Sequence, residues 1–341
     1  MKRIVRFFFR FLSIFSFKRG IPDRPSKILV LMCNWLGDTF WAMQVLPALK
    51  ERFPDADIFV AVKPFSKHLL HRTIPEDHIL IERDIVSDRR REEFSLGRFL
   101  RSARAARREG FDLGIDLTCN RYSASFLFFA GIPSVGADVN EAAPLYDVCL
   151  EYPENGREHY RKRSWRILEP FGLAFDHENP RYIHPAVDIE AARREYGLSP
   201  SDRTALLLPG AGWPDKEWAP ENFSEIGRYL EGKGMKVIVS GSPKERELCE
   251  RIAVSLESPV VMIDDLPSLL ALIPHLVFAI SNDSGVAHLV AAAGVPLAVV
   301  FISTDPATCA PIGERVRIFD GGASDIIGGI KEGLLRNYPT P

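Results

Sequence analysis

Apolar positions along the chain fall into two rhythms. Short unbroken runs, "KILVLMC" (27–33), "DIFVAV" (57–62), "HILIE" (78–82) and "FDLGIDL" (111–117), show no polar alternation and predict strands covered on both faces. Between them the spacing turns helical. "LGDTFWAMQVLPALKERFP" sets Leu46, Leu49 and Phe53 on one face, and 93–109 reads as a helix. The second half repeats the scheme, with strands at "TALLLPG" (204–210), "MKVIVSG" (235–241), "PVVMID" (259–264), "LVFAISN" (276–282) and "LAVVFIS" (297–303), and helices at 220–232 and 244–257. Alternating strands and helices imply parallel crossover units. The expected fold is α/β: two Rossmann-like domains with parallel sheets facing a central cleft. Residues 139–200 are less regular, which places the linker near 178–188. The predicted domains are 27–185 and 186–322, with a last helical segment, 323–341, packing back on the first.

Composition adds two constraints. The 341 residues are 46% hydrophobic, enough for a core in each half. A formal net charge of −2 gives no global case for nucleic acid. The five cysteines (Cys33, Cys119, Cys149, Cys249 and Cys309) form no C-x-x-C pair, which argues against a disulfide framework or zinc site and fits small buried residues in a reducing compartment. Charge is uneven, however. Residues 1–20, "MKRIVRFFFRFLSIFSFKRG", carry six basic groups, six Phe and no acid. The apolar part, Phe7 to Phe17, is broken by Arg10, is too short to span a bilayer and has no small-residue cleavage site. It predicts an interfacial segment, within 1–26, that holds a cytoplasmic protein on the inner face of the membrane.

In open parallel sheets, ligands gather beyond the carboxyl ends of the strands. Four loops occupy such ends: "CNWLGDT" (33–39), "PGAGWPDKEW" (209–218), "SGSPKERE" (240–247) and "SNDSG" (281–285). A glycine lets backbone approach a phosphate, and a helix start offers N–H groups and partial positive charge. Ser284 and Gly285 fit that role, Lys216 offers a cation to a diphosphate, and Asp283 is placed to touch a sugar hydroxyl. The slim helix face at Ala287, Ala291 and Ala292 permits close approach. Asp38, where the first strand enters its helix, is a candidate general base. Turns and N-caps account for each of these residues singly. No G-x-G-x-x-G follows the first strand and no G-x-x-x-x-G-K-[ST] occurs, so dinucleotide and P-loop readings are poor.

These stretches, with "KILVLMCNWLGDTFWAMQVLPALKERFPDADI", "LPGAGWPDKEWAPENFSEI", "GSPKERELCERI", "SNDSGVAHLVAAAGVPLAVVF" and "TDPATCAPIG", resemble the lipopolysaccharide heptosyltransferase family, glycosyltransferase family 9, over about residues 27–320. The resemblance implies a GT-B fold. It also implies inverting transfer of a sugar from a nucleotide-diphosphate donor, typically ADP-heptose, to an anionic glycolipid acceptor, without a catalytic metal. It assigns Asp38 as base, Lys216 to the donor phosphate, Glu245 to the donor ribose, Asp283 to the donor sugar and Ser284 and Gly285 to the diphosphate. His288 falls on the same helix, and Leu266 near the backbone that meets adenine. The chain departs from the family at Asn34 and Trp35, where small hydroxyl residues are usual, at Ala211 and Gly212, and at Cys309-Ala310 in place of Thr-Gly. These departures bear on acceptor and donor sugar.

Arg98, Arg101, Arg104 and Arg108, and the run "REHYRKRSWR" (157–166), predict solvated charged faces, with an anionic acceptor as the functional alternative. "DAD" (55–57) imitates a metal-binding D-x-D but precedes a strand, at the end where such ligands do not gather. His68, His71 and His78 have no partner carboxylate at metal spacing. Two rivals stand beside the heptosyltransferase reading: a GT-B transferase or epimerase using another nucleotide sugar, and a non-catalytic nucleotide-sugar-binding homologue.

Overall fold

The computed structural model describes residues 18–82, 95–138, 142–151, 158–175, 180, 182, 186–256, 261–263 and 265–330. The chain divides into two units, Met1–Asp176 and His177–Pro341. That division precedes the boundary expected at 185.

In the first unit, β1 (Lys27–Met32), β2 (Asp57–Val62), β3 (Ile79–Ile81), β4 (Leu113–Asp116), β5 (Ser134–Ala137) and β6 (Val148–Leu150) form one parallel sheet in the order β3-β2-β1-β4-β5-β6. Val30 of β1 lies opposite Val60 of β2 on one side and Ile115 of β4 on the other. Successive side chains leave opposite faces of a strand. Leu29 and Leu31 therefore share a core with Phe99, Ala103 and Ala106 of α3 (Leu96–Arg108) and Phe126 and Leu127 of α4 (Arg121–Ala130). Ile28, Val30 and Met32 are equally buried, so the sheet is covered on both faces. The helix predicted after β1 is two: α1 (Leu36–Met43) and α2 (Leu46–Arg52), with Pro47 in the first turn of α2.

The second unit carries β7 (Thr204–Leu208), β8 (Lys236–Ser240), β9 (Val261–Ile263), β10 (Phe278–Asn282), β11 (Leu297–Val300) and β12 (Val316–Phe319), ordered β12-β11-β10-β7-β8-β9, again parallel. Its helices include α5 (Ile189–Tyr196), α6 (Pro220–Glu231), α7 (Arg246–Val254), α8 (Leu266–Leu272), α9 (Gly285–Ala292) and α10 (Ala323–Gly329).

Two predicted segments are described only in part. The terminal one begins with α10, which packs within the second unit. Ala323, Ile326 and Ile330, at helical spacing, join Phe223, Ile226 and Leu230 of α6 in the second unit's core. The rest of that segment, 331–341, lies outside the described residues. The other is the basic tail. Residues 1–17 lie outside the described residues, but Lys18 donates to the Tyr146 carbonyl and Arg19 grips Asp147, Nε to Oδ1 at 3.1 Å and a second nitrogen to Oδ2 at 3.0 Å. These two cations are spent on the protein itself.

Candidate functional site

Each sheet reverses direction of winding next to its first strand: between β1 and β4 in the first unit, and between β7 and β10 in the second. The crevice outside the carboxyl ends at such a switch point is where open α/β sheets bind ligands. The loops picked out in the sequence lie at these two places and on the strand ends beside them.

In the second unit, Asp283 follows β10 and Lys216 follows β7 in the 3₁₀ turn Pro214–Lys216. They are joined: Lys216 Nζ stands 2.6 Å from Asp283 Oδ2, both largely buried. Thr304 Oγ1 donates to the same oxygen at 2.8 Å, and the Cys309 thiol lies 3.9 Å from it. Burial raises the pKa of that thiol, and the Asp283 charge raises it further. Sequence reasoning gave Lys216 and Asp283 separate tasks; the fold couples them.

What holds the pair in register is a residue the sequence reading passed over. Asn282 is fully buried, accepts from the Trp218 N–H at 3.2 Å and donates to the Pro209 carbonyl at 2.6 Å. One side chain thus pins both ends of the 209–218 loop to the end of β10. The available signal was an amide closing a buried apolar strand, which must find partners. Ser284 holds the N-cap position of α9 with extended backbone, but its hydroxyl makes no capping bond and lies 2.9 Å from the Ser281 hydroxyl. The first turn of α9, starting at Gly285, keeps its N–H groups and partial positive charge pointed at the crevice. His288 lies one turn inside this helix and is buried.

Glu245 closes the 3₁₀ turn after β8, and its carboxylate accepts from the Ser242 N–H at 2.6 Å. The same carboxylate rests on Gly210: a Cβ there would come within 2.1 Å of Glu245 Oε1. A side chain at 210, two residues past β7, would have to displace that carboxylate. Leu266 is the half-buried first residue of α8, after β9 and beside Asp265, which caps the helix by accepting from Ser268 N–H at 2.9 Å.

In the first unit, Asp38 is half-buried in the first turn of α1, and Trp35 precedes it at the N-cap. The loops after β1 and β4 are tied together. The Cys33 N–H donates to Thr118 Oγ1 at 2.8 Å, and Asn34 Nδ2 to the Leu117 carbonyl at 3.1 Å. Beneath them Asp116 is fully buried, accepting from the Thr118 and Cys119 N–H groups at 2.9 Å each and from the Tyr146 hydroxyl at 2.6 Å. Burial raises its pKa to about 6 against these hydrogen bonds, which pull downward. Asp116 and Tyr146 were not anticipated. "DLTCN" (116–120) reads locally as an ordinary strand end, and the partner lies thirty residues away.

The other sequence candidates remain apart. Asp57 opens β2 at the strand's amino end. Arg98, Arg101, Arg104 and Arg108 lie on the exposed side of α3. The run around 157–166 is partly self-neutralised, since Arg166 pairs with Glu158 through two nitrogens at 2.6 and 3.0 Å.

The model of glycosyltransferase family 9 (heptosyltransferase) matches residues 99–325, about two thirds of the chain. The chain belongs to glycosyltransferase family 9. Lipooligosaccharide heptosyltransferase 2 of Haemophilus influenzae is 24% identical over 333 residues, 90% of this chain and 93% of the relative. The structure of Escherichia coli ADP-heptose lps heptosyltransferase II superposes with a TM-score of 0.76 at 21% identity, covering 91% of this chain and 99% of that one. A second Escherichia coli heptosyltransferase, solved with ADP, gives 0.68 at 20% identity over 90% and 99%. The paired parallel sheets are thus those of the GT-B family 9 enzymes, and the protein is a glycosyltransferase.

Proposed function

We propose that this family 9 enzyme transfers a heptose from ADP-heptose to a lipopolysaccharide core or related anionic glycan, with inversion at the anomeric carbon. One observation carries the donor half. Along the second sheet, the carboxyl ends run β9, β8, β7, β10 and bring Leu266, Glu245, Lys216 and Asp283 with the start of α9 into line. Base, ribose, diphosphate and sugar follow one another in the same order in the donor. Three strand spacings make about 14 Å, comparable to an extended nucleoside diphosphate.

The chemistry follows from the side chains. Asp38 accepts the proton of the acceptor hydroxyl as its oxygen attacks the anomeric carbon opposite the leaving ADP. Charge growing on the departing diphosphate is met by the Lys216 ammonium and the N–H groups that open α9. In this reading those groups do the work a metal does elsewhere. Asp283 holds Lys216 in the absence of donor, and on binding shares the cation with the diphosphate while accepting a heptose hydroxyl. Residues 1–17, basic and Phe-rich, keep the enzyme at an anionic membrane surface where a glycolipid acceptor resides.

The test is calorimetric titration with ADP, UDP and GDP, followed by transfer assays with ADP-heptose. Selective ADP binding that weakens in Lys216→Ala, with Asp38→Asn binding ADP normally but losing about 10²–10⁴-fold in kcat, is the expected result. Preference for UDP or GDP moves the donor to another sugar; turnover unchanged in Asp38→Asn removes the base assignment.

A further inference from the structure

Trp35 and Phe65 invert the usual partition of side chains. Both are large aromatics, yet Trp35 is 44% and Phe65 41% exposed, while Lys63 between them is only 7% exposed. Lysine is ordinarily outside and tryptophan largely buried. The Lys63 ammonium sits 4.3 Å from the Trp35 ring centre and 5.9 Å from that of Phe65. The buried ammonium thus meets the ring while Trp35 as a residue stays 44% exposed. The contact fixes the ring without covering it.

The rings are also anchored through their backbones. Trp35 is the N-cap of α1; Phe65 is in the 3₁₀ segment Pro64–Leu70 that follows β2 and packs on α1. The Ser66 hydroxyl reaches Thr39 Oγ1 at 3.5 Å, and Thr39 Oγ1 donates to the Met32 carbonyl at 3.3 Å. Two aromatics from two loops are thereby held at the carboxyl end of the first sheet. Asp38 is three residues beyond Trp35, and N-cap and third helical positions are neighbours, with Cβ atoms about 5–6 Å apart.

We propose that Trp35 and Phe65 form a stacking platform for a sugar ring of the acceptor glycan, and that Trp35 determines acceptor choice. Pyranose rings present a face of C–H groups that packs on aromatic surface, leaving the hydroxyls at the rim for hydrogen bonding. A rigid indole gives such contact at little entropic cost. A ring stacked on Trp35 presents its rim to the neighbouring Asp38. The occupant is a glycan because the platform adjoins a carboxylate, which a hydroxyl rim can hydrogen-bond and a purely apolar partner cannot. The proposal rests on the transferase reading above, in that the stacked glycan is its acceptor.

The test uses the full chain and its Trp35→Ala, Trp35→Phe and Phe65→Ala variants. The probe is deacylated inner-core lipopolysaccharide oligosaccharide, titrated by calorimetry and by tryptophan fluorescence, with ADP as control. Trp35→Ala is expected to weaken glycan binding and raise acceptor KM about tenfold, the loss typical of one aromatic anchor, while kcat and ADP affinity stay near the wild-type values and the thermal midpoint falls only slightly, through the lost Lys63 contact. Phe65→Ala is expected to show a smaller loss of the same kind. Trp35→Phe retains a ring and is expected to restore most of the glycan affinity while removing the glycan-dependent fluorescence change. Wild-type glycan affinity in Trp35→Ala, no rescue by phenylalanine, or an intact chain that binds ADP but no glycan would each overturn the platform. Glycan binding through Trp35 by a chain that takes no ADP would leave the platform standing and remove the ADP-heptose reading.

Discussion

Asp116 shows how one buried group carries a pH signature. Its folded pKa, raised by burial to about 6, stands above the ordinary 3.8. Between those values the folded chain holds a proton that the unfolded chain has released. The stabilisation is therefore full below about pH 4 and is lost as pH rises through about 6, a change of about 3 kcal/mol. Asp116→Asn has no such proton to lose. Urea denaturation at pH 4.5 and pH 8 is expected to show the variant gaining on the wild type at the higher pH, by an amount of that order. A difference independent of pH would mean that Asp116 stays ionised in the fold. Little of this was legible in the sequence. Asp116 has its hydroxyl donor at Tyr146, and Gly136 is required because a Cβ there would meet the Tyr146 ring at 2.4 Å. Asp38, Lys216 and Asp283 could be singled out as candidates because each closely follows an apolar run at a strand's carboxyl end.

The elements most visible in the sequence were those whose own residues suffice. β1, β2 and β7 are unbroken apolar runs, and their bounds fall within the predicted stretches. β5 ("SVGA"), β6 ("VCL") and β12 ("VRIF") were missed, because short strands with small or charged residues owe their existence to a neighbouring strand. The loop pinned by Asn282 belongs to this scale as well. Removing its amide frees the Trp218 N–H and the Pro209 carbonyl together, both at the roots of the segment that carries Lys216. Asn282→Ala is expected to lower stability by about 1–3 kcal/mol and to weaken ADP binding about tenfold, read by denaturation and calorimetry. Asn282→Asp keeps an acceptor for Trp218 but sets a carboxylate against the Pro209 carbonyl, so it is expected to do no better. Unchanged ADP affinity in both would show that the loop is held without the clamp.

At the scale of the molecule, each unit has its own six-stranded parallel sheet and its own core. Among the described residues no helix is long and apolar enough to cross a membrane. Lys18 and Arg19 hydrogen-bond to the first unit, which sets them apart from the rest of the basic segment. Deleting residues 2–17 is expected to abolish co-sedimentation with phosphatidylglycerol vesicles and to leave the thermal midpoint unchanged. Arg19→Ala, which breaks the Asp147 pair, is expected to lower the midpoint and leave sedimentation intact. Retained sedimentation after the deletion would overturn the proposed role of that segment. The sequence by itself determined the α/β class, the two-unit plan and the family, and marked out the strand ends proposed as the site, because hydrophobic period and loop chemistry are local properties. Tertiary structure alone decided that Lys216 pairs with Asp283, that Glu245 rests on Gly210, that the last helix joins the second core and that Trp35 stands outside a buried lysine. These depend on which strands and helices become neighbours, and that is fixed by packing between segments far apart in the chain.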